Sequence, residues 1–112
     1  QIDLRIRFII REHFEKNIVA TSDLLPPPTQ LDICTFIHIT ERTLIRHLKE
    51  CHTSYKLILK EERQEYAQRL LKDARYTIYN VAEILGYAEP ANFCRAFKTW
   101  SGVTPTYYRQ QL

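Results

Sequence analysis

The sequence predicts an all-α fold: seven helices forming two helix-turn-helix subdomains joined by a long linker helix. Three observations predict it. First, apolar residues recur at i, i+3, i+4 and i+7, the spacing of one helix face, as in Ile78, Val81, Ala82 and Leu85 and again in Phe93, Ala96, Phe97 and Trp100. Second, the chain has 2 glycines, Gly86 and Gly102, and each stands just past such a stripe, where a helix C-terminus favours positive φ. Third, the pattern repeats. A shift of 49 residues carries Leu44, Arg46, Leu48 and Lys49 onto Phe93, Arg95, Phe97 and Lys98, and a shift of 48 carries Ile33-Cys34 onto Val81-Ala82. A support helix, a turn and an outer helix are used twice.

The elements follow in chain order. Ile2, Ile6, Ile9, Ile10 and Phe14 share a face, with Arg5, Arg7, Arg11, Glu12 and Glu15 outside it, which predicts an amphipathic helix from about residue 2 to 16 with Asn17 as its stop. Residues 18 to 28 include Pro26-Pro27-Pro28 and predict an extended connection, since proline neither donates to a helix nor fits one. Thr29 caps the second helix, with Asp32 in its first turn; Leu31, Ile33, Cys34 and Ile37 supply its apolar positions and His38 sits in the turn after it.

Thr40 caps the third helix, where Leu44 and Leu48 face inward and Arg42, Thr43, Ile45, Arg46 and Lys49 turn outward. Ser54 caps a long fourth helix running to about Asp73, roughly 20 residues or about 30 Å. Its predicted buried stripe is Tyr55, Ile58, Leu59, Tyr66, Ala67, Leu70 and Leu71, with Glu61, Glu62 and Glu65 outside. Thr77 opens the fifth helix and Gly86 closes it. Glu89-Pro90 opens the sixth, proline being tolerated in a first turn, and Thr104-Pro105 opens the seventh, through Tyr107 and Tyr108. Phe93, Phe97, Trp100, Tyr107 and Tyr108 are expected in the core, where their spacing already accounts for them. The expected division is a first subdomain over 1–53 with its outer helix at about 40–50, a linker over 54–73, and a second subdomain over 74–112 with its outer helix at about 89–100.

Composition narrows the function. Net charge is +3 and the pI is near 8.8, which permits nucleic acid without requiring it. The 3 cysteines are widely spaced with no CxxC, and the 4 histidines have no metal-site or catalytic spacing. No glycine-rich phosphate loop occurs. No catalytic residue, metal site or cofactor is therefore expected, and Cys51-His52 reads as an ordinary turn. No apolar run approaches 18 residues, so no membrane span is expected. The absence of a leader and the cysteine usage predict a cytoplasmic protein; the start at Gln1 and the lack of methionine are read as those of a fragment of a longer chain.

Two outer helices at the ends of a rod about 30 Å long match the spacing of successive major grooves on one face of B-DNA, about 34 Å. The repeated outward Arg and Lys favour double-stranded DNA over the rival reading, a helical protein-interaction module that binds no DNA.

Val81-Ala82, Leu85-Gly86-Tyr87, Phe93 to Lys98 (FCRAFK), Gly102-Val103-Thr104-Pro105 and Tyr108-Arg109 resemble the DNA-binding domain of the AraC/XylS family of bacterial transcription regulators. In the first half Thr40 to Leu48 (TERTLIRHL), Arg63, Ala67 and Leu70-Leu71 extend the resemblance, which covers about residues 28 to 110. The stretch RAFKTWSGVTP is most similar to the subgroup of ornithine-utilisation and related catabolic regulators. The resemblance implies homeodomain-like units, transcription activation through RNA polymerase, and an N-terminal domain, absent from this chain, that binds an effector and dimerises. Three features depart from the family: His52 stands where it usually has Gly, Ala88 where a capping Ser is common, and the loop 18–28 is long.

The resemblance and the exposed faces together name the expected contacts. Arg42, Ile45 and Arg46 would enter one major groove, with arginine suited to guanine O6 and N7 and Ile45 to a thymine methyl. Glu89, Pro90, Ala91, Asn92 and Arg95 would line the second; Asn92 suits adenine, Glu89 cytosine N4, and Arg95 a base, a phosphate or an internal partner. Backbone contacts are expected from Thr43, Lys49, Lys98 and Arg109 and from the helix N-termini at Thr29, Thr40, Thr77 and Thr104. The first unit is expected to give more of the specificity, the tip of the second being small and largely apolar.

Overall fold

The computed structural model describes residues 1–20 and 22–112; Thr21, within the expected connection, lies outside the described residues. Seven helices are present among them: α1 (Ile2–Val19), α2 (Gln30–Ile37), α3 (Glu41–Glu50), α4 (Tyr55–Leu71), α5 (Ile78–Ile84), α6 (Pro90–Ser101) and α7 (Pro105–Gln110). No strand occurs among the described residues, and none of the helices is long and apolar enough to cross a membrane.

Helix starts follow the sequence closely. Thr29, Thr40, Ser54, Thr77 and Thr104 each have extended backbone, and each side-chain oxygen accepts the backbone N–H three residues on. Each such cap contributes about 1 kcal/mol. Thr29 with Asp32, and Thr77 with Asn80, complete reciprocal capping boxes. α6 starts at Glu89 with no side-chain cap. Its far end is Gly102, left-handed at φ 85. His38 and His52 also take the left-handed region, at φ 60 and 59, so the turn where His52 replaces Gly keeps a glycine-like conformation.

One core runs through the molecule. Phe14, Phe93, Phe97, Ile6, Ile10, Ile33, Leu44, Leu48, Ile58, Leu71 and Leu85 are fully buried. α4 packs on α1, α5, α6 and α7, and α1 also touches α3 and α5. α4 spans 17 residues, about 26 Å at 1.5 Å per residue, shorter than the rod expected from 54–73 because Lys72 already closes it as C-cap.

Several sequence expectations are corrected. Asn17 does not stop α1, which runs on to Val19. Its side chain is buried instead: Nδ2 donates to the Leu25 carbonyl and to the Ile84 carbonyl, both at 3.0 Å, and Oδ1 accepts from Leu25 N at 3.2 Å. One amide thus ties α1 to the proline loop and to the end of α5. Glu62, placed outside the stripe of α4, is buried, because Arg7 and Arg11 of α1 enclose it. Leu31 is exposed, and so is Tyr107, which leaves Tyr87, Phe93, Phe97, Trp100 and Tyr108 to form the aromatic core of the second unit.

The α1–α4 contact adds a charged layer to the packing of Phe14 on Tyr66. Arg7 donates to Glu62 Oε2 at 2.9 Å and to Glu61 Oε1 at 2.6 Å, and Arg11 holds both oxygens of Glu62, at 2.6 and 3.0 Å. Further along, Arg69 and the Tyr66 hydroxyl both donate to Glu15 Oε2, at 2.9 and 2.7 Å. Burial pushes the Glu62 carboxyl up, but the bonds from Arg11 and Arg7 outweigh it and hold it below the usual glutamate range. Glu15 is held low by its bonds from Arg69 and then Tyr66.

Candidate nucleic-acid interface

Two helices present faces that the core does not use. In α3, Leu44 and Leu48 are buried, and at about 100° per residue the side opposite them carries Arg42, Arg46 and Lys49, spaced i, i+4, i+7. All three are exposed, with Ile45 beside them at 53% exposure. In α6, Phe93 and Phe97 are buried and the opposite side carries Ala91, Arg95 and Lys98, also exposed. The 49-residue shift relates the two triads position by position: Ala91 takes the place of Arg42, and Cys94 the place of Ile45. The second face therefore has one guanidinium where the first has two.

The arginines separate into two kinds. Arg7, Arg11, Arg69 and Arg75 sit in ion pairs with carboxylates. Arg63 donates Nε to the Leu85 carbonyl at 2.9 Å and lies 4.4 Å over the Tyr87 ring; burial pushes its guanidinium below the usual arginine value. Arg42 and Arg46 enter none of these bonds. A surface guanidinium with no partner keeps all five donors for an incoming acceptor.

Arg109, expected at the DNA backbone, also makes bonds within the fold. Its Nε donates to the Leu71 carbonyl at 2.9 Å and Nη2 to the Asp73 carbonyl at 3.3 Å, so it caps the C-terminal end of α4. These bonds use two of its five donors, and the remaining N–H groups stay available to an acceptor such as a phosphate. Lys98 and Lys49, by contrast, are exposed and enter no ion pair among the described residues.

The helix N-termini also differ from one another. At Thr29 the first turn already holds the Asp32 carboxylate, which accepts the Thr29 N–H at 2.9 Å and puts negative charge where a phosphate would sit. At Thr40 the hydroxyl donates to Thr43 Oγ1 at 3.0 Å, while Glu41 accepts from Gln30 Nε2 at 3.2 Å across the α2–α3 turn. Thr77 is capped by neutral Asn80, and Thr104 is followed by Pro105, which has no N–H to offer.

At the tip of α6, Glu89 is exposed, Pro90 half-buried and Ala91 exposed. Asn92 and Arg95 form a pair: Arg95 Nη2 donates to Asn92 Oδ1. Sequence reading assigned the two residues separately and missed the pair, although their i, i+3 spacing was a visible signal. It also missed the positioning bond of Arg63, whose partner lies 22 residues away.

Comparison with known proteins places this geometry. A family model described as a helix-turn-helix domain matches residues 33–111. The chain is similar to the ornithine utilization regulator of Pseudomonas aeruginosa, 35% identical over 74 residues, which is 66% of this chain and 22% of that protein. Among solved structures it is similar to the C-terminal domain of AraT, a response regulator from Geobacillus stearothermophilus, with a TM-score of 0.78 at 28% identity over 99% of this chain and 85% of that one. It is likewise similar to a DNA-binding transcriptional dual regulator from Escherichia coli K-12, with a TM-score of 0.75 at 26% identity over 95% and 90% of the two chains. The chain spans about a quarter of the length of the curated relatives it matches. These relatives are transcriptional regulators, not enzymes. The chain belongs to the AraC-type helix-turn-helix family of transcriptional regulators.

Proposed function

We propose that this chain binds double-stranded DNA sequence-specifically, with α3 and α6 in successive major grooves. The observation that carries the reading is the repeated outward face, Arg42/Arg46/Lys49 and Ala91/Arg95/Lys98, each set opposite a buried pair on helices that one rod joins. Arg42 and Arg46 reach guanine edges, and Ile45 packs on a thymine methyl. Glu89, Pro90, Ala91, Asn92 and Arg95 form the second, less discriminating reader. Thr43, Lys49, Lys98 and Arg109 hold phosphates, joined by the helix ends at Thr40, Thr77 and Thr104; Asp32 makes Thr29 the weakest of the four ends, and Arg109 also supports the end of α4. The division into a first unit over 1–53, a linker over 54–73 and a second unit over 74–112 belongs to the same proposal.

Fluorescence anisotropy with duplex DNA at two salt concentrations, followed by hydroxyl-radical footprinting, tests it. Salt-dependent binding with two protected patches about one helical turn apart is expected. A single patch, or affinity indifferent to salt, overturns it.

The family resemblance supports a wider role for the full protein. The full protein activates transcription by contacting RNA polymerase and carries an N-terminal effector-binding and dimerising domain. A protein partner on the α1 side is supported by Leu4, Phe8 and Phe36, exposed at 61, 64 and 58% around a shared groove. Run-off transcription with the full-length protein and purified polymerase tests activation; unchanged or reduced transcript contradicts it.

A further inference from the structure

We propose that Asn92 and Arg95 act as one donor-only reader that selects guanine in the second half-site. The proposal rests on α6 lying in a major groove. Read separately, Asn92 suits adenine, whose bidentate recognition needs the amide oxygen to accept from N6 while the amide nitrogen donates to N7. In this structure that oxygen already accepts from Arg95 Nη2. An adenine N6 amino group would have to take that oxygen's second lone pair beside a cationic guanidinium that already holds the first and crowds the approach, which disfavours adenine. The amide that carries this bond turns its NH2 away from Arg95, and the NH2 is a donor. The remaining N–H groups of Arg95 are donors too. What the pair offers outward is a row of donors, and the base edge with two adjacent acceptors is guanine, at O6 and N7.

The surroundings favour this reading. Ala91, one turn before Arg95, offers only a methyl group, so no side-chain acceptor sits there to offset the pair. Glu89 is the carboxylate nearest in sequence, at the helix start, and it forms no ion pair with Arg95. In α3 the equivalent arrangement is absent. Thr43, in the place of Asn92, accepts from Thr40, and Arg46 stays untethered. The first unit thus reads with free guanidinium groups, and the second with one whose rotamer is set by its neighbour one turn back. This positioning compensates for having one arginine where α3 has two.

Sites are selected from randomised duplexes with the wild-type chain, then tested by footprinting and competition with Asn92→Ala and Arg95→Ala, both exposed positions whose folding is checked by circular dichroism. The expected result is a guanine in the second half-site whose replacement by adenine or 7-deazaguanine weakens binding about tenfold or more. Arg95→Ala removes that preference, and Asn92→Ala keeps guanine but with reduced discrimination. Selection of adenine, or of no base, under a footprint that still covers both half-sites overturns the guanine reader and leaves the two-groove reading standing. Loss of the second footprint patch in the wild-type chain overturns both.

Discussion

Arg63, midway along α4, donates Nε to the carbonyl oxygen of Leu85 at 2.9 Å, and Leu85 is the C-cap of α5. The same guanidinium lies over Tyr87, whose ring packs on Phe93 of α6 at 5.6 Å. The turn that sets the angle between α5 and α6 is therefore anchored on the linker helix. On the other side Asn17 bonds the Ile84 carbonyl one residue earlier. The end of α5, from which α6 departs, is thus held from both sides.

Arg63→Ala is expected to cost about 1.5–3 kcal/mol of stability, the range for a hydrogen bond from a charged group, measured by urea denaturation. Because it loosens the second unit, it should weaken binding to a duplex with both half-sites more than to one with the first alone. Equal weakening of both would show that Arg63 does not position α6.

Arg46→Ala should cost about 1–3 kcal/mol on the selected site and relax choice at one base pair. Competition against duplexes varied at each position reads this directly. The same loss on random DNA would assign Arg46 to the phosphate backbone.

Lys49→Ala should weaken binding to all sequences alike and flatten the dependence of log affinity on log salt by about one unit. An unchanged slope would remove Lys49 from the backbone contacts.

The acidic groups of the α1–α4 clasp predict a pH dependence. Glu15 and Glu62 both have folded values below their ordinary ones. Their contribution is present in full above the unfolded glutamate value of about 4.3 and is lost as the pH falls through the depressed folded values. Thermal unfolding should show a falling midpoint below about pH 4.3, and Glu62→Gln should reduce that dependence. A pH profile identical in the variant would contradict the clasp.

The two glycines provide a paired test. A Cβ on Gly102 meets nothing within 4 Å, so Gly102→Ala costs only its left-handed backbone, about 1–2 kcal/mol. On Gly86 it would stand 2.3 Å from Pro27 Cδ, so Gly86→Ala must also displace the proline loop. Gly86→Ala should be the more destabilising in urea; the reverse order would mean the loop does not pack there.

Helix starts and the two outer faces were legible because they are local. A Thr three residues before the N–H it accepts, or Arg42 and Arg46 one turn apart, needs nothing beyond helical geometry. What the sequence hid was non-local. Glu62 reads as a surface residue until Arg7 and Arg11 are placed beside it from more than 50 residues away. Asn17 looks like a helix stop because Asn often is one, and only the proline loop and Ile84 explain its burial. Arg109 bonds to the end of α4 across 38 and 36 residues of sequence, a contact that its neighbours do not signal. In each case a polar side chain satisfied backbone or charge on a distant element, a pairing that periodicity does not encode. On the outer faces the i, i+3 spacing of Asn92 and Arg95 was legible, but the bond between them was not, since it depends on rotamers.

The central claim is that one chain holds two readers at a fixed distance. The direct test is affinity for duplexes carrying both selected half-sites, with 0, about 5 or about 10 base pairs inserted between them, spacings set by the helical repeat. The account predicts tight binding only at the native spacing, falling to the level of a single half-site with either insertion, because α4 cannot stretch. Affinity that is the same at every spacing would contradict it.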